Sequence, residues 1–241
     1  MCTVSWVHQD GGYTLFCNRD EKRSRAMASG PEIKMRDGVR YVSPMDRAAG
    51  GTWIASNEFG ISICLLNGRQ RPLPGSFRSR GLLLPELISA RSLAEATRRL
   101  SGFDLRYFNG FMAVVLEPLQ PATLMEWDGD SLSVFEWGEL CMPLISSSVD
   151  AEGVGARRRE DLVGRVLESG GMSERVLQEF HASHGEGADS YSTCMHRADA
   201  QTVSFSRVRV SRDAIEFSYS AGAPCACLPA EIRNLDRVPC N

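Results

Sequence analysis

Residues 1–21 read MCTVSWVHQDGGYTLFCNRDE, and the fold prediction for the whole chain starts from this stretch. Apolar and polar residues alternate over 2–8 and again over 13–18, with an Asp-Gly-Gly turn between the two segments. This pattern predicts a β-hairpin. Because the two strands of a hairpin run side by side, we expect Cys2 to lie close to the polar run from Asn18 to Glu21. The sequence therefore predicts a site at one end of this hairpin.

Cys2 carries two reactive groups once Met1 is removed, as we expect for a chain with a small second residue. The mature residue would have a thiol with a pKa of roughly 8.5 and an α-amine with a pKa of roughly 7.7–8.0, which are close enough for proton transfer near neutral pH. A nucleophile that uses its own α-amine as the base is the N-terminal variant of covalent catalysis. A buried structural thiol is the alternative, and it is the better interpretation of the position alone.

The composition limits the class of protein. The chain has 241 residues, 43% of them hydrophobic and 24% charged, which is typical of a soluble globular protein, and we expect a single domain over 1–241. A net charge of -3 argues against nucleic acid as a partner. No apolar run reaches the roughly 18 residues that span a bilayer, and no leader segment is recognisable, so we predict a cytoplasmic protein without a membrane span. A homo-oligomer is compatible with the sequence.

Eight cysteines are scattered through apolar segments, and we expect them to be reduced and mostly buried. Cys225-Ala226-Cys227 could bind a metal or take part in redox chemistry, but its spacing is not C-x-x-C and it has no second half-site. His181 and His184 are three residues apart on a predicted helix, which alone is a weak metal signal. We therefore predict structural cysteines, exposed helix histidines, and no metal or other cofactor.

The remaining segments alternate between strands and pairs of helices. The predicted helices are 82–90 with 93–100 and 155–168 with 173–183. Ser92 and Glu95 form a capping box at the start of the second one. Residues 19–36 are polar and predict a loop, 192–196 predict a strand, and the Pro- and Cys-containing tail predicts none. This order of strands and helices predicts an α+β fold with a four-layer αββα sandwich, and a three-layer α+β fold is the alternative.

Four ordered motifs in the first hundred residues carry a resemblance to a known family. They follow Met1-Cys2 along the chain and are Asn18-Arg19-Asp20-Glu21, Gly50-Gly51-Thr52-Trp53, Leu66-Asn67 and Ser79-Arg80-Gly81. The sequence resembles the NRDE family, also called the Transport and Golgi organisation family. It is also similar to the cysteine N-terminal-nucleophile (Ntn) hydrolases of the choloylglycine hydrolase and acyltransferase type. The resemblance implies an αββα sandwich of the Ntn type and hydrolysis of a linear amide near Cys2.

The resemblance and the residue chemistry together suggest catalytic roles. Cys2 would attack the amide carbonyl carbon and form a thioester, while its α-amine passes the proton to the leaving amine. Asp20 could accept a hydrogen bond from the α-ammonium group, and Arg19 could favour the thiolate by its charge. The related enzymes usually show Arg-Asn-x-Asp, whereas this chain reads Cys17-Asn18-Arg19-Asp20, so its arginine is displaced by two positions. An exposed ion pair beside a turn is the alternative for Arg19 and Asp20.

Three further catalytic candidates come from later segments. Asn67 follows an apolar strand, where its side-chain N–H could donate to an oxyanion, although Asn-Gly is also an ordinary turn pair. The resemblance implies another asparagine where this chain has serines at 146–148, and Ser147 is our candidate. A hydroxyl donates one hydrogen bond where an amide donates two, which predicts weak or altered turnover. Of the arginines at 157–159, Arg158 is our candidate for an active-site arginine, and a solvated helix face is the alternative.

Asn18, Trp53 and Arg69 are the candidates for contacts with a substrate. Trp53 could line a pocket, although an apolar residue at a strand position more often belongs to the core. Arg69 belongs to the loop 68–80, whose arginines could receive an anionic substrate or could simply be solvated.

We predict a cysteine Ntn hydrolase that cleaves a non-peptide linear amide, a small molecule, through a Cys2 thioester. The first alternative is a non-catalytic binding or trafficking protein on the same fold, handling a hydrophobic ligand such as haem as the resemblance implies. The serines at 146–148 favour this alternative. A thiol redox protein that uses Cys225 and Cys227 is the second alternative.

Overall fold

The predicted hairpin is confirmed. The computed structural model describes residues 2–68, 78–138, 141–185 and 187–238. The two hairpin strands are β1, Cys2–Gln9, and β2, Gly12–Lys22, and they pair antiparallel with Cys2 opposite Arg19. Because β2 is longer than predicted, the run from Asn18 to Glu21 lies inside the strand rather than after it.

Thirteen strands among the described residues form two antiparallel sheets. The remaining strands are β3 Ser29–Arg36, β4 Val39–Met45, β5 Ile54–Asn57, β6 Ser62–Asn67, β7 Phe111–Leu116, β8 Thr123–Trp127, β9 Leu132–Glu136, β10 Leu144–Ser146, β11 Ala200–Val210, β12 Ala214–Ser220 and β13 Glu231–Asp236. The six-stranded sheet has the order β10-β1-β2-β11-β12-β13, and the seven-stranded sheet runs from β3 to β9 in sequence order. The hairpin therefore lies inside the six-stranded sheet, with β10 and β11 covering its two edges.

Two buried clusters separate the layers of the molecule. The larger one fills the space between the sheets and includes Trp6, Ile54 and Phe217. The second packs the seven-stranded sheet against helices α1, Leu84–Leu87, and α2, Leu93–Ser101. Helices α3, Ala151–Ser169, and α4, Glu174–His181, cover the six-stranded sheet. The predicted four-layer αββα sandwich is confirmed. None of the helices in the described parts of the chain is long and apolar enough to cross a membrane.

Side-chain caps set the starts of the longer helices. At α2, Ser92 Oγ accepts a hydrogen bond from the Glu95 N–H at 3.2 Å, which confirms the predicted cap. The Glu95 carboxylate accepts from the Arg91 N–H at 2.8 Å, one residue earlier than in a regular capping box. Helix α3 begins earlier than predicted because Asp150 Oδ1 accepts from the Gly153 N–H at 2.9 Å.

Several predicted elements are wrong. The segment 19–36, predicted as a loop, contains the end of β2 and all of β3. Its polar side chains are compatible with strands because pairing with neighbouring strands satisfies the backbone groups. Residues 192–196 contain bends and an isolated β-bridge between His196 and Gln201 rather than a strand, and the tail contains β13. Within 82–90 the α-helix is limited to α1.

Glu174 fastens the start of α4 to the six-stranded sheet. Its carboxylate accepts hydrogen bonds from Arg209 Nη2 at 2.6 Å, from Thr14 Oγ1 at 2.8 Å and from the Gln9 side chain. Burial opposes ionisation, but these hydrogen bonds outweigh it and lower the pKa of Glu174 from its ordinary 4.5 to about 2. Folding therefore stabilises the charged form of this residue.

We expect Glu174→Gln to lower the free energy of unfolding by about 1–2 kcal/mol near pH 7, allowing for solvent screening of a partly exposed group. Because folding lowers this pKa, the contribution is present above pH 4.5 and is lost as the pH falls towards 2. Urea denaturation at about pH 7 and about pH 3 measures it. The matched control is Glu179→Gln on the same helix, whose exposed pair with Arg175 should contribute less than about 0.5 kcal/mol at either pH. An equal loss for Glu174→Gln at both pH values contradicts the prediction.

Candidate active site

Cys2 lies between two partner strands of the six-stranded sheet. It pairs with Ser146 of β10 on one side and with Arg19 of β2 on the other. Only 8% of the residue is exposed, at the wall of a cavity of about 420 Å³. Its backbone nitrogen donates a hydrogen bond to Ser146 Oγ at 3.0 Å. Pairing on both sides fixes the nitrogen and the thiol of Cys2 relative to this cavity.

The Cys2 thiol is a weak acid in this environment. Burial raises its pKa from the ordinary 9.0 to about 12, and Cys17 and Asp20 contribute in the same direction. The N-terminal charge and Arg19 lower the pKa but do not compensate for burial. The thiol is therefore protonated at neutral pH, and a base must accept its proton if it is to act as a nucleophile.

Arg19 shares the sheet face of Cys2 but is held by other partners. Its guanidinium carbon lies 4.4 Å from the centroid of the Trp53 ring, and its Nη2 donates to Asp46 Oδ2 at 2.8 Å. Arg25 Nη2 binds the same oxygen at 2.8 Å. Burial opposes ionisation of Asp46, yet the two guanidinium groups lower the pKa of its carboxyl. Arg19 thus acts on the thiol through its charge, and Asp46 already balances much of that charge.

Asp20 takes part in a buried ion pair with α3. Its Oδ1 accepts a hydrogen bond from Thr202 Oγ1 at 2.6 Å, and its Oδ2 lies 3.7 Å from Arg158 Nη1, with both charged side chains fully buried. Arg158 also donates to Thr3 Oγ1 and, at 3.1 Å, to the carbonyl of Ser190. The pair therefore lies directly behind the first strand and is held by hydrogen bonds from three segments of the chain.

The structure distinguishes the three arginines at 157–159. Arg158 is buried beside Asp20, and this burial lowers its pKa. Arg157 is exposed and lies 3.5 Å from the Glu160 carboxylate, while Arg159 is exposed and donates to a backbone carbonyl. Consecutive helical residues point in different directions, so one of the three can face the sheet while its neighbours face solvent.

The hydroxyl at the Cys2 nitrogen belongs to Ser146 and not to Ser147, the residue expected from the sequence. Ser146 ends β10 and is buried, whereas Ser147 follows the strand and accepts from the Val149 N–H at 3.3 Å. Successive strand residues point to opposite faces of a sheet. A shift of the pairing between β10 and β1 by one residue would therefore place Ser147, instead of Ser146, at the Cys2 nitrogen. Both serines line a second cavity, of about 890 Å³.

The two cavities share part of their walls. Asp20, Asn67 and Arg80 line both of them. Asn67 ends β6 and is exposed, so its side-chain amide is accessible from either side. Trp53 lines the smaller cavity and also packs in the core between the sheets. The pocket-lining position and the core position, which were alternatives for this residue, are therefore both occupied.

Two of the sequence motifs meet in the wall of the smaller cavity. The backbones of Gly51 and Gly81 pack so closely that a Cβ on Gly51 would lie 2.4 Å from the Gly81 carbonyl carbon. The Thr52 N–H donates to the Gly81 carbonyl at 3.1 Å. Only glycine permits this approach. The contact holds Arg80 at the cavity, where its Nη1 donates to the Gly110 carbonyl at 2.9 Å.

Asn18 does not line either cavity. Its side-chain nitrogen donates to the carbonyls of His181 and Thr193, both at 2.8 Å, and its oxygen lies 3.0 Å from His181 Nδ1. Asn18 is fully buried, and these contacts hold the end of α4 and the segment around Thr193 against the sheet. The prediction that His181 is exposed is wrong, because the ring is fully buried and burial lowers its pKa to about 3. Arg69 lies outside the described residues.

Asp46 and Thr202 carry no sequence signal that could have pointed to the site. Asp46 follows β4 in no recognisable motif, and Thr202 lies 182 residues from the carboxylate that its hydroxyl contacts. Arg80 does have a signal, since it is the central residue of the Ser-Arg-Gly motif.

A sequence model of the family Transport and Golgi organisation 2 matches residues 1–130, which is more than half of the chain. The chain belongs to this family. The matched segment of this Transport and Golgi organisation 2 protein contains Cys2, Asp20 and Asn67, and the resemblance inferred from the motifs is confirmed. No curated protein sequence matches the chain significantly.

Solved structures of Ntn hydrolases are similar to this Transport and Golgi organisation 2 protein. The Caenorhabditis elegans N-acylethanolamine-hydrolyzing acid amidase ortholog has a TM-score of 0.60 and 13% identity, over 86% of this chain and 92% of that chain. Two structures of the conjugated bile acid hydrolase from Clostridium perfringens have TM-scores of 0.57 and 0.58 and 10% identity, over 98% of this chain and 92% of theirs. At these identities the similarity shows the fold alone, the αββα sandwich of the Ntn hydrolases.

Proposed function

We propose that this chain is a cysteine Ntn hydrolase that cleaves a non-peptide linear amide with Cys2 as the nucleophile. The position of Cys2 carries the proposal. Its thiol lies at the wall of a cavity, its nitrogen contacts Ser146, and the buried pair of Asp20 and Arg158 lies behind it. The fold supports the same reaction class, because two structural neighbours are named as an acid amidase and a conjugated bile acid hydrolase.

The reaction begins when removal of Met1 frees the α-amine of Cys2. The Cys2 sulfur then bonds to the amide carbonyl carbon while the thiol proton passes to the α-amine. The resulting α-ammonium gives this proton to the leaving nitrogen as the C–N bond breaks, which leaves a thioester. Water hydrolyses the thioester with the α-amine again transferring the proton, which releases a carboxylic acid and restores the thiol.

Three neighbouring side chains assist these steps. Ser146 Oγ fixes the nitrogen of Cys2, and the charge of Asp20 favours the ammonium form that appears during attack. Asn67 is the candidate donor to the developing oxyanion, because its side chain is exposed where the two cavities meet. Because burial raises the pKa of the Cys2 thiol, a base must accept its proton, and in this mechanism the base is the α-amine.

The residues that line the two cavities indicate a substrate with one anionic end and one apolar end. In the smaller cavity Arg78 lies over the Phe108 ring and Arg80 binds the Gly110 carbonyl, and neither forms an ion pair with a carboxylate of the described residues. The larger cavity has four large apolar residues in its lining, Met112, Ile145, Val149 and Met195. The substrate class is therefore an N-acyl compound with an apolar acyl group and an anionic amine component.

An inserted residue tests the need for the α-amine. We expect the intact mass of the native protein to lack Met1, and we expect hydrolysis of N-acyl amino acids. A glycine inserted between Met1 and Cys2 leaves the thiol but moves the free amine away, so hydrolysis should fall by about 100-fold or more. Native protein that retains Met1 and still hydrolyses the amide, or an inserted variant with native activity, contradicts the proposed mechanism.

Non-catalytic binding of a hydrophobic ligand is the second candidate function. It is favoured by the serine, rather than an amide side chain, at the Cys2 nitrogen and by the high pKa of the buried thiol. In this function the cavities hold the ligand without covalent chemistry. A processed chain that binds N-acyl amino acids equally well with and without the Cys2→Ala change, and hydrolyses none of them, would support it.

A further inference from the structure

Four side chains with metal-binding atoms meet beyond the end of α4, outside the two cavities. They are His184, Cys194, His196 and Cys225, called here the Cys-His cluster, and their ligand atoms all lie within 4.8 Å of one another. His196 Nε2 lies 3.2 Å from Cys225 Sγ and 3.5 Å from Cys194 Sγ. The rings of His184 and His196 meet edge to face, with centroids 5.1 Å apart.

The Cys-His cluster joins three segments of the chain. His184 follows α4, Cys194 and His196 lie in the connection to β11, and Cys225 lies in the 3-10 turn after β12. Cys194 is buried, His196 and Cys225 are half-buried, and His184 is exposed. Both cysteines are free thiols. One ligand of the cluster is therefore buried, and the other three are at least partly accessible to solvent.

The donor set and its spacing match zinc. A tetrahedral zinc ion, with bonds of about 2.3 Å to sulfur and about 2.0–2.1 Å to nitrogen, holds sulfur and nitrogen ligands about 3.5 Å apart. The two sulfur–nitrogen distances at His196 are 3.2 and 3.5 Å. Thiolate and imidazole ligands also favour zinc over the hard cations Mg²⁺ and Ca²⁺, which prefer oxygen.

We propose that the Cys-His cluster binds one structural zinc ion. Each cysteine releases its thiol proton to solvent on binding, and both imidazoles bind in their neutral form. Four protein ligands complete a tetrahedral site, which leaves no position for a substrate and distinguishes it from a catalytic zinc site. This site could not be predicted from the sequence. Cys225-Ala226-Cys227 lacks the C-x-x-C spacing of a zinc motif, and the other ligands lie about 30 to 40 residues earlier in the chain.

The Cys-His cluster is linked to the candidate active site through two residues, Met195 and Thr202. Met195, between two of the ligands, accepts from the Thr202 N–H at 2.8 Å and donates its own N–H to Thr202 Oγ1 at 2.9 Å. That hydroxyl donates to Asp20 Oδ1 at 2.6 Å. Zinc would fix the backbone on both sides of Met195 and, through Thr202, the orientation of the Asp20 carboxylate.

Metal analysis of the native chain tests the proposal. Protein purified with a thiol reductant and without chelator, then supplied with zinc and desalted, is expected to retain one zinc ion per chain. Cys225→Ser and His184→Gln should each weaken zinc binding by about 100-fold or more. Cobalt in place of zinc should show the absorption bands of a tetrahedral site with thiolate ligands, which is a readout independent of amide hydrolysis.

Cys227→Ala is the matched control, because Cys227 is exposed, lies two residues from a ligand and is outside the Cys-His cluster. It should bind zinc as the native chain does. Circular dichroism of each variant separates loss of metal from loss of fold, and His184→Gln changes an exposed side chain, so this variant is expected to remain folded. Reduced native protein that fails to bind zinc overturns the proposal, as does a folded His184→Gln or Cys225→Ser variant with native affinity.

Discussion

Replacing Cys2 by alanine is expected to reduce amide hydrolysis by about 1,000-fold or more and to abolish covalent labelling by electrophilic amide or lactone probes. The change removes the atom that forms the thioester while it leaves the α-amine, the cavity wall and the strand pairing in place. Labelling followed by intact mass, together with hydrolysis of N-acyl amino acids, measures both effects. Without the Cys2 sulfur no thioester can form. The loss of hydrolysis should therefore be nearly complete, and not the smaller loss expected if Cys2 only positioned the substrate.

Exposed thiols elsewhere on the surface provide the controls for this experiment. Cys141→Ala and Cys227→Ala each remove an exposed cysteine and should leave labelling and hydrolysis at the native level. Labelling that persists in Cys2→Ala but disappears in Cys227→Ala would reject Cys2 as the nucleophile and favour the thiol redox alternative. Thermal unfolding of Cys2→Ala confirms that the variant keeps its fold.

Arg158→Met is expected to lower the free energy of unfolding by about 3–5 kcal/mol, because it leaves the buried Asp20 carboxylate without its guanidinium partner. The loss includes the hydrogen bonds to Thr3 and to the Ser190 carbonyl. For a chain of this length it corresponds to a fall in Tm of about 6–20 °C. Urea or thermal denaturation at neutral pH measures it.

The same helix supplies matched controls for Arg158→Met. Arg157→Met and Arg159→Met change exposed neighbours and should shift the free energy of unfolding by less than about 0.5 kcal/mol. Adding Asp20→Asn to Arg158→Met should recover at least about 1 kcal/mol, because the unbalanced buried charge is removed. A single Arg158→Met variant as stable as the two controls would show that the buried pair contributes nothing to folding.

Local patterns predicted the parts of the fold whose partners lie close in sequence. The hairpin formed by β1 and β2 depends on alternation around a short turn, and the cap of α2 depends on residues three positions apart. The segment 19–36 resisted prediction because its strands are polar, and pairing with distant strands such as β11 stabilises them. Strand β13 was missed for the same reason, since it is an edge strand with mostly exposed side chains.

In the candidate site, too, some residues could be predicted from local motifs and others depend on contacts with distant parts of the chain. Cys2, Asp20 and Asn67 could be named from motifs, and the structure places all three at the smaller cavity. The choice between Ser146 and Ser147 depended on strand register, which alternation alone does not set over so short a strand as β10. Contacts that close loops of more than a hundred residues, such as Thr202 with Asp20, leave no local pattern.

The pairing of Cys2 with strands on both sides has a consequence for how activity would be measured. Pairing holds the Cys2 nitrogen in place, but this nitrogen would become a free amine only through one irreversible cut, the hydrolysis of the Met1–Cys2 peptide bond. A preparation would then contain processed and unprocessed molecules in proportions set by its production history, not by an equilibrium. Its specific activity would report the processed fraction, and turnover numbers would be comparable only after that fraction is counted by mass.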